Sequence, residues 1–341
     1  MPRTHLLTLA GLLAAALARG GATNDAAWVP IDAALVQGLG LTGVLRTADG
    51  LTLSNASHVL QLCAGRRGAT IDGVMVWLHL PPREAGSNDL REVARADFDA
   101  VLQPLLWRTN GAPARLRVVI DAGHGGTDAG AGAAGAPLAE KDVTLDVARR
   151  VAARLRAAGD EVWLTRTNDV YLTLQERTRV ASRHDAQVFL SIHANSSPHN
   201  PLAAGAETFV LPAPGCSGTA EHPGAALEAC PGNRFDATNT VLGFAIHRRC
   251  SALAWSDRGL KRARYVVLKE APCPAALVEC GFLTSANDAA LLGRAAYRAQ
   301  LAAAIAAGIR DFAAVAPRPE APSWTPPCTN GAAAHVATGG Q

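Results

Sequence analysis

The sequence carries no strong charge of either sign: its formal net charge is only +3. Without Arg3, which lies in a segment read as removable, the charge falls to +2. So small an excess gives no reason to expect a nucleic-acid partner, and it leaves the charge of any substrate open. Beyond the first residues no apolar run is long enough to span a bilayer. Seven cysteines are present, but none are spaced as CxxC pairs, which argues against a cysteine zinc site. HExxH is also missing, and with it the helix on which common metalloproteases build their metal site. No Ser or Cys lies in a triad-like setting, so no protein nucleophile is expected.

What is present is a chain of 341 residues, 49% hydrophobic and 18% charged, which is globular in composition and long enough for two domains. It opens with "MPRTHLLTLAGLLAAALARG". Arg3 precedes an apolar run from Leu6 to Leu17, and Ala16-Leu17-Ala18 is a small-x-small cleavage pattern. Residues 1–18 are therefore expected to be a secretory signal, leaving an exported chain without a membrane span, in a periplasm or outside the cell. The cysteine count suits an oxidising compartment. Cys216 and Cys230 flank a Gly- and Pro-containing loop that a disulfide would close, whereas Cys250, Cys273 and Cys280 fall in or near expected core elements.

The texture of the chain changes near residue 109. Residues 25–108 read as a small, mostly β domain of short strands and turns. Asp72-Gly73 predicts a two-residue hairpin, after which Val74, Val76, Leu78 and Leu80 alternate with Met75, Trp77 and His79. Residues 109–114 read as a linker. From Arg115 strands and helices alternate: "RLRVVID", then a helix from Glu140 with Val143, Val147, Val151 and Leu155 as its apolar stripe. The strands "EVWLTR", "QVFLSIH", "GAETFVL" and "AALVECGF" follow, with helices at "TLQERTRVASRH", "NTVLGFAIHRRCSALAW" and "AYRAQLAAAIAAGIRDFAAV". This rhythm predicts an α/β fold over 115–315, a mixed β-sheet flanked by helices. Residues 316–341, rich in Pro, Ala and Gly, read as a disordered tail.

In such sheets functional groups gather just beyond the carboxyl ends of strands. His124 follows "RVVID", His193 ends "QVFLSIH", Glu279 ends "AALVE", and Glu140 starts the first helix. Two imidazoles and a carboxylate are the ligand set of a catalytic zinc site with an open position. A second carboxylate, off the metal, is what zinc hydrolysis needs as general base. Each residue alone has a plainer explanation, such as capping or, for Glu140, a favourable place in a first helical turn. Asp121 reads as a loop brace, Arg166 and Arg177 as structural, and Asn195 as a residue that either orients His193 or touches substrate. His184, His199, His222 and His247 read as ordinary surface or packing histidines.

The segments "IDAGHGGTDAGA", "EKD", "TRTNDVYLTLQERTRVA", "FLSIHANS", "GAETFVL" and "DRGLKRARYVVLKEAPCPAALVECGFLT" follow one another in the order seen in zinc-dependent N-acetylmuramoyl-L-alanine amidases, which this chain resembles over about residues 115–315. The resemblance implies one Zn2+ held by His124, Glu140 and His193, with Glu279 as the catalytic glutamate. It implies peptidoglycan as substrate and cleavage of the amide between N-acetylmuramic acid and L-alanine; it names no protein activator. Two departures stand out: Ser285 replaces the Asn usual after "GFLT", and a 212–237 insert occupies the region where some relatives carry a blocking helix. The insert is expected to be a lid or substrate-contacting loop held by a disulfide. Competing expectations are a zinc hydrolase of another amide and a non-catalytic wall-binding protein.

Overall fold

The computed structural model describes residues 28–47, 50–84, 90–106, 115–131, 138–200, 202–221 and 228–315. The expected signal (1–18), linker (109–114) and tail (316–341) lie outside the described residues, as does His222. Among the described residues an 11-stranded sheet dominates, accompanied by a three-stranded sheet of β1 (Trp28–Pro30), β8 (Leu90–Ala94) and β7 (Arg83–Glu84) and by the short helix α1 (Ala33–Gly38). The larger sheet's C-terminal part comprises β9 (Arg117–Ala122), β10 (Glu161–Leu164), β11 (Val188–Asn195), β12 (Ala206–Val210), β13 (Asp257–Arg262) and β14 (Ala275–Phe282). They lie in the order β10-β9-β11-β14-β12-β13. The first four are mutually parallel, and β12 runs antiparallel to β14.

This is the mixed sheet that the alternating pattern predicts, and both faces are covered. Each buried strand sends alternate residues to opposite sides. Val118, Ile120, Leu190 and Ile192 join one apolar cluster with Val147 and Val151 of the helix α3 (Glu140–Ala157). Helices α5 (Asp236–Ser251) and α8 (Ala295–Val315) complete that layer. Val119, Phe189, Phe209 and Leu277 face the other way, onto Ala181 of α4 (Leu174–Arg183) and Val267 and Leu268 of α6 (Val266–Lys269). Thr173 begins α4 with a full capping box, its side chain accepting from the Glu176 N–H while Glu176 bonds back to the Thr173 N–H.

The N-terminal strands continue the same sheet. β2 (Gly43–Thr47), β3 (Gly50–Ser54), β4 (Val59–Cys63), β5 (Gly68–Ile71) and β6 (Val74–Trp77) form an antiparallel meander, and β6 meets β13 at Val76 and Leu260. The Asp72-Gly73 turn is as expected: both residues have positive φ, 52° and 79°, which gives the twist a two-residue hairpin needs. The alternation expected after it stops early. The strand ends at Trp77, His79 is buried against Asp97, and Leu80 is exposed. Two elements had no periodic signal. One is β13, whose "DRGLKR" is mostly charged; the other is the helical stretch 95–106, α2, which contains a π-type turn at Phe98–Leu102.

The described residues of the 212–237 insert lie elsewhere than expected. Because β12 is antiparallel to β14, its last residue Val210 points to the amino ends of β11 and β14, away from His193 and Glu279. The insert's described residues are tied at that far end. Asn233 donates to the Pro212 carbonyl, the Arg262 N–H to Thr219, and Arg264 to the Cys216 carbonyl. The insert's described residues form no lid over the site end of the sheet, and the expected disulfide is not formed: Cys216 and Cys230 are both free. Hydrogen bonds to the ends of β12 and β13 hold the described parts of the loop instead. Cys250, Cys273 and Cys280 are free and buried, as expected for core positions.

Helices α5 and α8 cross most closely at Gly308, where a Cβ would sit 2.6 Å from the Ile246 Cα. Gly308→Val should therefore destabilise. Overpacking costs about 1–3 kcal/mol, more than the few tenths that leaving Gly in a helix recovers. Thermal unfolding should show the melting temperature falling by about 3 °C or more; an unchanged value would contradict this contact.

Candidate metal centre

Three chain segments bring His124, Glu140 and His193 to one point, with one ligand atom from each lying within 4.8 Å of the others. Glu140 opens α3, where a carboxylate is favoured by the helix dipole. Its Oε1 faces His193 Nδ1 at 2.9 Å and His124 Nε2 at 3.1 Å. The Ala194 N–H donates to the same oxygen and the Ala131 N–H to Oε2. Burial alone would raise the Glu140 pKa, but the hydrogen bonds and charges of the two imidazoles outweigh it and hold the carboxyl well below the usual range. The His124 pKa shifts the other way: burial would lower it, but bonds to Glu140 and Asp128 prevail and raise it.

His124 sits just past the end of β9 with φ of 61°, a left-handed conformation that a non-glycine residue adopts at a cost of about 1–3 kcal/mol. Neighbouring groups hold it there. Arg166 donates to the carbonyls of Ala122, Gly123 and Lys141, and Arg177 to those of Ala122, His124 and Leu172. Asp121 anchors Arg177 and accepts from Thr165 and Ser191. The expected structural roles of Asp121, Arg166 and Arg177 thus have a geometry: together they hold the loop that carries the first imidazole. Gly123 belongs to the same arrangement, since a Cβ there would collide with the His193 ring.

Sequence reasoning missed Asp128, whose Oδ2 lies 2.9 Å from His124 Nδ1. That partner fixes the ring and leaves Nε2 facing the site, a common support for a metal-bound imidazole. The signal was a carboxylate four residues after the His. Among the described residues Asn195 shows no side-chain hydrogen bond to His193. Its side chain donates to Glu207 and accepts from the Ser196 N–H. His184 stacks on Trp163, and His247 is buried between Thr208 and Asp257, both packing roles. Ser285 caps the helix α7 (Ala286–Leu292) and stays apart from the cluster.

Glu279 stands beside this cluster. In the parallel pairing of β11 with β14 it is the register partner of His193, so the two side chains leave the same face one strand apart. Its carboxyl is buried, and Oε2 has no hydrogen-bond partner among the described residues. Burial, reinforced by Glu140 and Glu207, pushes its pKa well above the usual carboxylate range. One carboxylate is thus held ionised between two imidazoles while its neighbour resists ionisation, and opposite shifts of this kind separate ligand-like from acid/base roles. Two imidazoles and an anionic carboxylate, converging with a fixed ring tautomer, suit a divalent zinc ion in a site of mixed N and O ligands.

Residues 118–311 match the family model described as N-acetylmuramoyl-L-alanine amidase. The amidase AmiA of Salmonella typhimurium is 35% identical over 230 residues, 60% of this chain and 78% of that one. AmiA of Escherichia coli is 36% identical over 220 residues, 57% of this chain and 75% of that one. Among solved structures, the amidase AmiC2 of Nostoc punctiforme is 34% identical, with 59% of this chain and 98% of that chain covered and a TM-score of 0.49.

If the Gly123 approach keeps the His193 ring in place, Gly123→Ala should leave the fold intact and weaken binding of one zinc ion by roughly ten-fold or more, the scale of loss when an imidazole's support is disturbed. Equilibrium metal titration with circular dichroism checks this; unchanged affinity would contradict it. With its matched segment containing the His124, Glu140 and His193 cluster and Glu279 beside it, the chain belongs to the N-acetylmuramoyl-L-alanine amidase family.

Proposed function

We propose that the protein is a zinc-dependent hydrolase of the amide bond between N-acetylmuramic acid and L-alanine in peptidoglycan. His124, Glu140 and His193 are its metal ligands and Glu279 its general base. The observation that carries this reading is the adjacency of His193 and Glu279 on neighbouring strand ends, with Glu140 between the two imidazoles. When bound, zinc supplies Lewis acidity, lowering the pKa of water to about 7 and polarising the scissile carbonyl.

The chain's own residues do the rest. Asp128 sets the His124 tautomer, and the Ala194 and Ala131 N–H groups hold the Glu140 carboxylate in one orientation. Glu279 takes a proton from the attacking water and returns it to the departing alanine nitrogen as the C–N bond breaks and the C–O bond forms. Among the described residues its Oε2 has no hydrogen-bond partner, which leaves that oxygen open to the proton.

We further propose that residues 1–18 direct export, so that the enzyme works in a periplasm or at the cell wall. No described helix is long and apolar enough to cross a membrane. Residues 25–108 form a β-rich module, 109–114 a linker, 115–315 the catalytic domain and 316–341 a tail. The sheet joins the first module to the third through β6 and β13.

Purified peptidoglycan incubated with zinc-loaded protein should release stem peptides that begin at L-alanine, as identified by mass spectrometry. Glu279→Gln should lower the release rate by about 10² to 10⁴. A chelator should abolish release and added zinc restore it. Glycan or peptide cleavage elsewhere in the polymer, or full activity of Glu279→Gln, would contradict the assignment.

A further inference from the structure

Glu207 in β12 is the register partner of Glu279 in β14, and His193 is the partner of Glu279 on its other side. Three side chains therefore stand in a row on one face, across β11, β14 and β12. The two carboxylates of that row have opposite surroundings. Glu207 is buried, and both its oxygens are engaged. Oε1 accepts from Asn195 Nδ2 at 2.6 Å, and Oε2 accepts from Arg258 Nε at 3.0 Å and from Lys261 Nζ. Glu279 has a buried oxygen with no hydrogen-bond partner among the described residues.

Two cations on β13 thus lie two strands away from the buried carboxyl of Glu279 and are bound to its neighbour Glu207 on the strand between. A buried polar atom left without a partner is costly, and a charge-assisted bond would relieve that cost. Lys261 could supply one, since its ammonium ion sits on a flexible four-carbon stem. Arg258 is less free, because its guanidinium also lies over the Phe282 ring, 4.8 Å from the centroid. What holds Lys261 back is the second carboxylate.

We propose that Glu207 is a positioning residue: it captures Lys261 and Arg258 and so keeps the Glu279 carboxyl free of an ion pair and available to accept a proton. Asn195, from the strand that bears His193, aims Glu207 at these cations. This rests on Glu279 being the base, and it gives Glu207 and Asn195 a role in the reaction without contact to substrate.

The test compares Glu207→Gln with the double variant Glu207→Gln/Lys261→Met, with Glu279→Gln as reference. For each, kcat and KM on peptidoglycan fragments, zinc content and thermal unfolding are measured. Glu207→Gln releases Lys261, so kcat should fall roughly ten-fold or more, within the range lost with a general base, while KM and zinc content hold. Removing Lys261 as well should restore kcat to within a few-fold of wild type. A purely structural role predicts that the double variant is no better than the single one, and that result, or an undiminished kcat in Glu207→Gln, would overturn the proposal. Should Glu207→Gln not fold, the double variant decides alone: kcat near wild type supports the proposal, and kcat as low as Glu279→Gln overturns it. Full activity of Glu279→Gln would instead reject the base assignment itself.

Discussion

The site depends on the parallel register of β11 with β14, which sets His193 beside Glu279. Side chains alternate along a strand, so a slip of one residue would turn one of the pair to the opposite face. The register is held by burial on both sides. Leu190 and Ile192 pack beneath α3, α5 and α8, while Phe189 and Leu277 pack beneath α4 and α6. Core packing and site geometry are in this sense one constraint: the residues that make each strand apolar on both faces also fix where its last polar residue emerges.

Around that pair, environment assigns different roles to similar groups. Glu140 meets two imidazoles and two backbone N–H groups and stays ionised. Glu279 meets apolar surroundings and two other carboxylates and favours its proton. Glu207 meets two cations and is fully engaged. The three acids differ in what stands next to them, and those differences follow from strand order. In β11-β14-β12-β13 the unpaired acid is central, the histidine lies on one side and the cations lie beyond Glu207 on the other.

Much of this was legible in the sequence because it rests on local patterns. The stripe of α3, the Asp72-Gly73 turn and the apolar strands each announce themselves within a few residues, and the placing of His124, His193 and Glu279 after strands follows from them. Less was legible where long-range pairing decides. The charged β13 has no strand pattern of its own and is a strand only because β12 and β6 flank it. The insert reads as a lid until the antiparallel direction of β12 carries it to the other end of the sheet. Asn195 was tied by sequence proximity to His193, yet its partner is Glu207, which only the sheet brings near. Nor could spacing alone tell that Cys216 and Cys230 stay free.

The measurement closest to the central claim is a crystal structure of the zinc-loaded protein with anomalous data at the zinc edge. The account predicts one peak bound by nitrogen from His124 and His193 and oxygen from Glu140, at about 2.0–2.2 Å, with Glu279 beside it and outside the ligand set. A peak ligated by Glu279, or by cysteines in place of these three side chains, would contradict it.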